Sequence, residues 1–150
     1  MTTALDAGAA KAPWHFWLVG AVALIWNAFG AYDYFMTETK GDAYMQAAGM
    51  NASQIAAVHA MPAWMIAAWA VGVWGALAGA LLLLGRSRYA VYAYVASLAG
   101  LVVDLVYTYG LSGAAKTFGT QGLVVNAVIT AGAIFFLWYS WRMAKRGLLR

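Results

Sequence analysis

Residues 81–110 read LLLLGRSRYAVYAYVASLAGLVVDLVYTYG, two apolar runs joined only by Gly85, Arg86, Ser87 and Arg88. As a helix rising about 1.5 Å per residue, the run 89–110 spans the roughly 30 Å hydrocarbon core of a bilayer. A connector of this length leaves two such helices no arrangement except an antiparallel hairpin. Asp104 lies inside the second run, where a carboxylate is costly unless it is paired or has a chemical task.

The reading extends to both sides of the hairpin. Residues 14–35, 63–84 and 122–141 are also long and apolar enough to cross a membrane, which makes four spans with 89–110. Of 150 residues, 65% are hydrophobic and 9% charged, with a mean hydropathy of +0.71, far from the balance of a soluble domain. The expected fold is all-α: an integral membrane four-helix bundle, with residues 1–150 forming a single transmembrane domain and a longer outer loop between the first two spans. Residues 1–11 are too acidic and too poor in apolar residues for a signal peptide, so insertion is expected to use the spans themselves. The absence of cysteine excludes disulfide exchange, thiolate nucleophiles and iron–sulfur ligation.

The net charge of +4 comes from basic residues that flank apolar segments, where they act as topology signals, so the bilayer rather than nucleic acid is the expected partner. Lys11, Arg86, Arg88, Arg142, Lys145, Arg146 and Arg150 fall on one side of the four spans, against Lys40 and Lys116 on the other. The asymmetry predicts cytoplasmic termini and an outer loop over 37–62. Trp14, Trp17, Trp138 and Trp141 then anchor helix ends at the inner interface. Within the loop, Asn51-Ala52-Ser53-Gln54 followed by Ile55, Val58 and His59 predicts a capped short helix along the outer surface. Pro62 suits the first turn of the second span, where a missing N–H costs nothing.

Helical spacing puts Ser97, Gly100, Asp104, Tyr107 and Thr108 on one face of the third span. It groups Gly20, Ala23, Asn27, Gly30, Ala31 and Tyr34 on the first span, with Asp33 beside Gly30, and Gly122, Asn126, Thr130 and Ala133 on the fourth. Asp104 and Asn126 fall at similar depths in the outer third, Asn27 and Thr130 nearer the midplane, and Asp33 near the outer interface. The expected site is an outward-facing polar funnel whose candidate ligand-binding residues are Asp104, Asn126, Asp33, Asn27, Tyr107, Thr108 and Thr130. Two roles are open to Asp104: tying helices together through Tyr, Asn or Thr donors, or titrating a proton or binding a cation. For Asp33 the alternatives are interfacial hydration or backbone capping, and ligand contact opposite Asp104. On the second span Gly72, Gly75 and Gly79 form a small-residue ridge, suited to packing within the bundle or to a homodimer.

His15 and His59 fall at opposite membrane faces and cannot share one haem iron. Met36, Met45, Met50, Met61 and Met65 accompany His59, and this soft donor set suits copper(I), but methionine also serves as apolar filler at a membrane surface, and filler is the preferred reading. Trp26, Trp69 and Trp74 are read as core packing in preference to stacking on a sugar or pigment ring. No Ser-His-Asp set, HExxH, P-loop or paired-carboxylate motif occurs, so neither enzymatic activity nor a metal or other cofactor is expected.

The run Ile25-Trp26-Asn27-Ala28-Phe29-Gly30, Asp33-Tyr34, Met36-Thr37, Met61-Pro62-Ala63-Trp64 and the leucines 81–84 before an arginine turn resembles a family of small bacterial four-span proteins, often labelled "sugar transporter". The resemblance covers nearly the whole chain and implies a multi-pass protein of the bacterial inner membrane, with transport as its activity. The small multidrug resistance proteins differ in carrying a Glu within the first helix, where Asn27 stands here. The three-span sugar facilitators differ in carrying a Pro-Gln motif. The expected function is a small-solute, sugar-like transporter acting as an oligomer through the outward polar pocket. Its alternative is an accessory or assembly subunit of a larger membrane complex, and a lipid- or pigment-binding module is a third reading.

Overall fold

The computed structural model describes residues 11–150. In chain order these residues form α1 (Trp14–Lys40), α2 (Asp42–Ala47), α3 (Ala52–His59), α4 (Ala63–Leu84), α5 (Tyr89–Val106), a π-helical turn (Tyr107–Leu111) and α6 (Ala114–Lys145). Four of the helices, α1, α4, α5 with its π turn, and α6, are long and apolar enough to cross a membrane.

Local chemistry accounts for most boundaries. Pro13 and Pro62 stand in extended conformation immediately before α1 and α4, where the proline φ suits helix entry. Asn51 and Gln54 form the expected capping box of α3: the Asn51 side chain accepts from Gln54 N–H, and Gln54 Oε1 accepts from Asn51 N–H. The first span continues five residues beyond its predicted end at 35 and stops at Gly41, whose φ of 55° a residue with a Cβ rarely adopts. The fourth begins at Ala114 instead of 122, because a polar lead-in is helical before Gly119 (φ 58°) kinks α6. Hydropathy registers the run beyond that kink and is blind to the lead-in.

The tightest pairing is the α4–α5 hairpin. A methyl group placed on Gly75 would lie 3.3 Å from Ala93 O and from Ser97 N. One placed on Gly100 would lie 2.5 Å from Ala68 O and 2.8 Å from Gly72 N. Ser97 Oγ donates to Gly72 O at 2.6 Å, so the same contact carries an interhelical hydrogen bond. Gly79 receives the Tyr94 ring. α5 thus packs on the Gly72, Gly75 and Gly79 ridge within the chain.

α1 joins this hairpin by seating Leu84 against Gly20. Side chains then bring α6 in. Ala23, Ala80, Tyr94 and Phe136, one from each spanning helix, make an interior hub in which the Tyr94 and Phe136 rings stack. Toward the basic end, Phe16, Leu83, Ala90, Tyr139 and Met143 close the bundle together with Leu148 and Leu149. At the opposite end Met45 and Ile55 are buried, so α2 and α3 lie packed on the bundle. Tyr107 ties the same region down, donating to Ala60 O at 3.4 Å with its ring edge-on to Trp64.

The glycine contacts generate a paired expectation. Gly100→Ala drives a methyl into the α4 backbone and should lower stability by about 1–3 kcal/mol. Gly30→Ala, which meets nothing within 4 Å, should be neutral or stabilising by up to ~1 kcal/mol. Thermal unfolding of the two variants in one detergent measures the contrast.

Candidate functional site

The candidate residues do not meet in one funnel. Asp104 is half-buried on α5. The donors expected to satisfy it are directed elsewhere: Tyr107 to Ala60 O, Asn126 Nδ2 to Tyr109 Oη (3.2 Å) and Thr130 to the Asn126 carbonyl one turn back (2.7 Å). The helix-tying role for Asp104 is therefore unsupported by any of these groups. Tyr107 and Thr108 are buried at the start of the π turn, and Tyr107 N–H still bonds to the Val103 and Asp104 carbonyls as in an α-helix.

Asp33 faces α2. The chain reverses at Gly41, which returns Tyr44 alongside α1, and Tyr44 Oη donates to Asp33 Oδ1 at 2.7 Å. This hydrogen bond, with a smaller contribution from burial, pushes the Tyr44 phenol up to about 12. The pairing of Asp33 with Asp104, argued from common depth, is replaced by a contact that depth cannot reveal.

Asn126 and Thr130 line an open groove of about 420 Å³ between α5 and α6, with Leu105, Tyr109, Leu123 and Ile134 among its walls. Tyr109, absent from the predicted set, is 43% exposed and supplies the hydroxyl on which Asn126 rests. This groove is on the outer flank of the helix pair, and it is apolar apart from that amide–hydroxyl pair and Thr130.

Asn27 points into the bundle. It is 9% exposed, and its Nδ2 has no hydrogen-bond partner among the described residues. Two further buried groups share that condition, Tyr94 Oη and Ser140 Oγ. Asn27 lies one turn beyond Ala23 on α1, and Ser140 one turn beyond Phe136 on α6, so the two flank the hub from opposite ends while Tyr94 belongs to the hub itself. At the basic end His15 Nδ1 and Tyr139 Oη are hydrogen-bonded at 2.7 Å. Tyr94, Ser140, His15 and Tyr139 put polar atoms in the half of the bundle that the sequence reading left bare. A tyrosine or serine in an apolar run carries little hydropathy signal; only the meeting of four helices buries it.

The soft donors near His59 are separated. His59 Nε2 contacts Asp42 Oδ1 at 2.6 Å on the surface, while Met45 and Met65 are buried as packing groups. Trp69 and Trp74 set their edges against Tyr34, at ring distances of 4.8 and 6.5 Å, but Trp26 and Trp74 are each 45% exposed, so neither is the core residue expected; their rings lie on the outer faces of α1 and α4. The indole nitrogen of Trp26 lies 3.7 Å from the position of a Cβ on Gly132.

The geometry defines a protein with four helices of membrane-spanning proportions, buried polar atoms inside the bundle and a lateral groove. Comparison with family models, with curated proteins and with solved structures returns no match.

Two expectations follow from these contacts. Asp104→Asn removes an ionisable group to which none of those donors is directed, so thermal stability in detergent should be unchanged or higher; a large loss would restore the helix-tying role. For Tyr44 the folded phenol titrates above its ordinary value of about 10. Its contact with Asp33 is thus fully present below pH 10 and lost as pH rises through about 12. Tyrosinate absorbance should lose one late-titrating component in Tyr44→Phe.

Proposed function

We propose that the chain is a multi-pass protein of the bacterial inner membrane that moves a small polar solute, sugar-like in the sense of carrying hydroxyl groups. Its basic end, with Arg86, Arg88, Arg142, Lys145, Arg146 and Arg150, faces the cytoplasm, because Lys and Arg are retained there; both termini are on that side. The observation that carries the reading is the set of buried polar atoms without partners among the described residues, Asn27 Nδ2, Tyr94 Oη and Ser140 Oγ, on three different spanning helices. Each such group forfeits about 1–3 kcal/mol relative to a satisfied one, so packing gives no reason to keep them. A hydroxyl-rich solute passing the hub would supply the missing partners.

The hub and the apolar cluster beneath it close the bundle in this conformation. Transport therefore requires the helices to part there, and four short helices enclose so little volume that two copies acting together fit the reading better than one.

A second reading is favoured by a different observation. Asn126, Tyr109 and Thr130 sit in a groove on the outer flank of α5 and α6, where lipid would leave their remaining hydrogen-bonding capacity unused. A spanning helix of another subunit would use it, which makes the chain an accessory or assembly component of a larger complex.

Proteoliposome uptake of a panel of labelled sugars, amines and cations tests the first reading. Asn27→Leu and Ser140→Ala should each reduce uptake of the transported solute at least tenfold while leaving the unfolding temperature equal or higher. Background uptake across the panel by folded protein would reject it. The second reading expects a stoichiometric companion in mild-detergent purification, lost in Asn126→Leu.

A further inference from the structure

Helix α6 ends in a glycine turn that sends the chain back under the bundle. Gly147 takes a φ of 71°, its N–H donates to Ala144 O at 3.0 Å, and Leu148 N–H donates to Met143 O at 3.1 Å. This pair of hydrogen bonds around a left-handed residue is the Schellman termination, and glycine suits it because a Cβ is disfavoured at that φ. The turn after α4 repeats the pattern: Arg86 N–H donates to Leu83 O at 2.9 Å and Ser87 N–H to Leu82 O at 2.8 Å. Here the left-handed position, with a φ of 57°, holds an arginine. Glycine would sit there without strain, but it has no side chain to reach the segment beyond α6. Arg86 Nε–H donates to Leu148 O at 3.1 Å.

Backbone bonds from Arg150 N–H to Arg86 O (2.7 Å) and from Arg88 N–H to Arg150 O (2.8 Å) complete the attachment. Leu148 and Leu149 are buried in one apolar cluster with Phe16 of α1, Leu83 of α4, Ala90 of α5, and Tyr139 and Met143 of α6. Residues 146–150 thereby hold all four spanning helices together at the basic end. The parts of this seal are unequal. Phe16, Leu83, Ala90, Tyr139 and Met143 belong to long helices, whose displacement breaks many contacts at once. Leu148 and Leu149 follow a glycine turn and are fastened to a single further turn, and their release frees Arg86 from its strained φ. Local opening begins in segments of this kind, with few buried contacts of their own.

We propose that residues 146–150 are a releasable clasp that keeps the basic end of the bundle shut, and that its release opens water access to Ser140, one helical turn before Ala144. As a gate for solute the clasp rests on the transport reading above; as a closure of the interior it stands apart from it.

The chain contains no cysteine, so a single introduced thiol reports access directly. Ser140 is fully buried, and Ser140→Cys in the detergent-solubilised full chain should react slowly with a membrane-impermeant maleimide. Adding Arg86→Gly, which relieves the left-handed position and removes the bond to Leu148, should speed labelling about tenfold, the equivalent of one charge-assisted hydrogen bond. The unfolding temperature should change little, since the relieved turn offsets the lost bond. Leu148→Ser combined with Leu149→Ser should speed labelling further. Labelling unchanged by both sets overturns the clasp. Asn27→Cys, on the other side of the hub, should keep its rate in either background; equal acceleration at both thiols would indicate general loosening of the bundle and also overturn it. In hydrogen exchange, the Leu148 and Arg150 amides should exchange at least tenfold faster than those of residues 136–143, and equal protection would count against independent release. Proteoliposome uptake separates the two readings. Faster labelling with background uptake across the solute panel keeps the closure and rejects transport, whereas uptake with unchanged labelling keeps transport and rejects the clasp.

Discussion

The close approach of α4 and α5 is the contact from which the rest of the structure is organised. Lipid tails are as apolar as leucine, so helices inside a bilayer gain little by hiding apolar side chains from it; they gain by packing density and by interhelical hydrogen bonds. Gly72, Gly75 and Gly100 let the two backbones come so near that an added methyl would meet the backbone of the opposite helix. Ser97 adds a hydrogen bond at the same point. The two remaining spanning helices need no such proximity, because α1 and α6 reach the hairpin through Leu84, Phe136 and the stacked Tyr94 ring.

That division of labour leaves the bundle dense on one side and open on the other. Where the α4 and α5 backbones come closest, Ser97 Oγ is satisfied by Gly72 O. Where large side chains span the gap, Asn27, Tyr94 and Ser140 keep donors that nothing in the described chain accepts. The two ends are closed by different means. At the loop end α2 and α3 fold back and engage Asp33 and Tyr107 through Tyr44 and the Ala60 carbonyl. At the basic end the tail threads under the α4–α5 turn and contributes Leu148 and Leu149 to the apolar seal.

The two polar features outside the seal have different characters. The α5–α6 groove presents an amide, a phenol and a hydroxyl in an apolar trough, a surface suited to another helix. The cleft at the α4–α5 turn is lined by Gly85, Arg86, Ser87 and Arg150. Neither is lined by Asn27, Tyr94 or Ser140.

Four helices of spanning length and the α3 cap are legible from the sequence, because hydropathy and capping chemistry are local: a run of about 20 apolar residues, or Asn51 with Gln54, carries its meaning within a few turns. Helical periodicity likewise selects Gly72, Gly75, Gly79 and Gly100 as small faces. Which neighbour each face meets is a property of three-dimensional arrangement, and there the linear reading fails in identifiable ways. Depth alone paired Asp33 with Asp104, whereas the reversal at Gly41 delivers Tyr44 to Asp33 first. Helical spacing set Tyr107 near Asp104, but the partner of its hydroxyl, the Ala60 carbonyl, comes from a segment far away in the chain. Tyr94, Ser140 and Tyr139 drew no attention in apolar runs, since a hydroxyl becomes conspicuous only when its surroundings lack a partner. The sequence by itself determined that the chain is built of bilayer-length helices, because burial of backbone polar groups in an apolar medium permits little else. The tertiary structure decided which polar groups are satisfied, which are left open inside the bundle and which arginines stand together, because hydrogen bonds and charge proximity depend on distances between residues far apart in the chain.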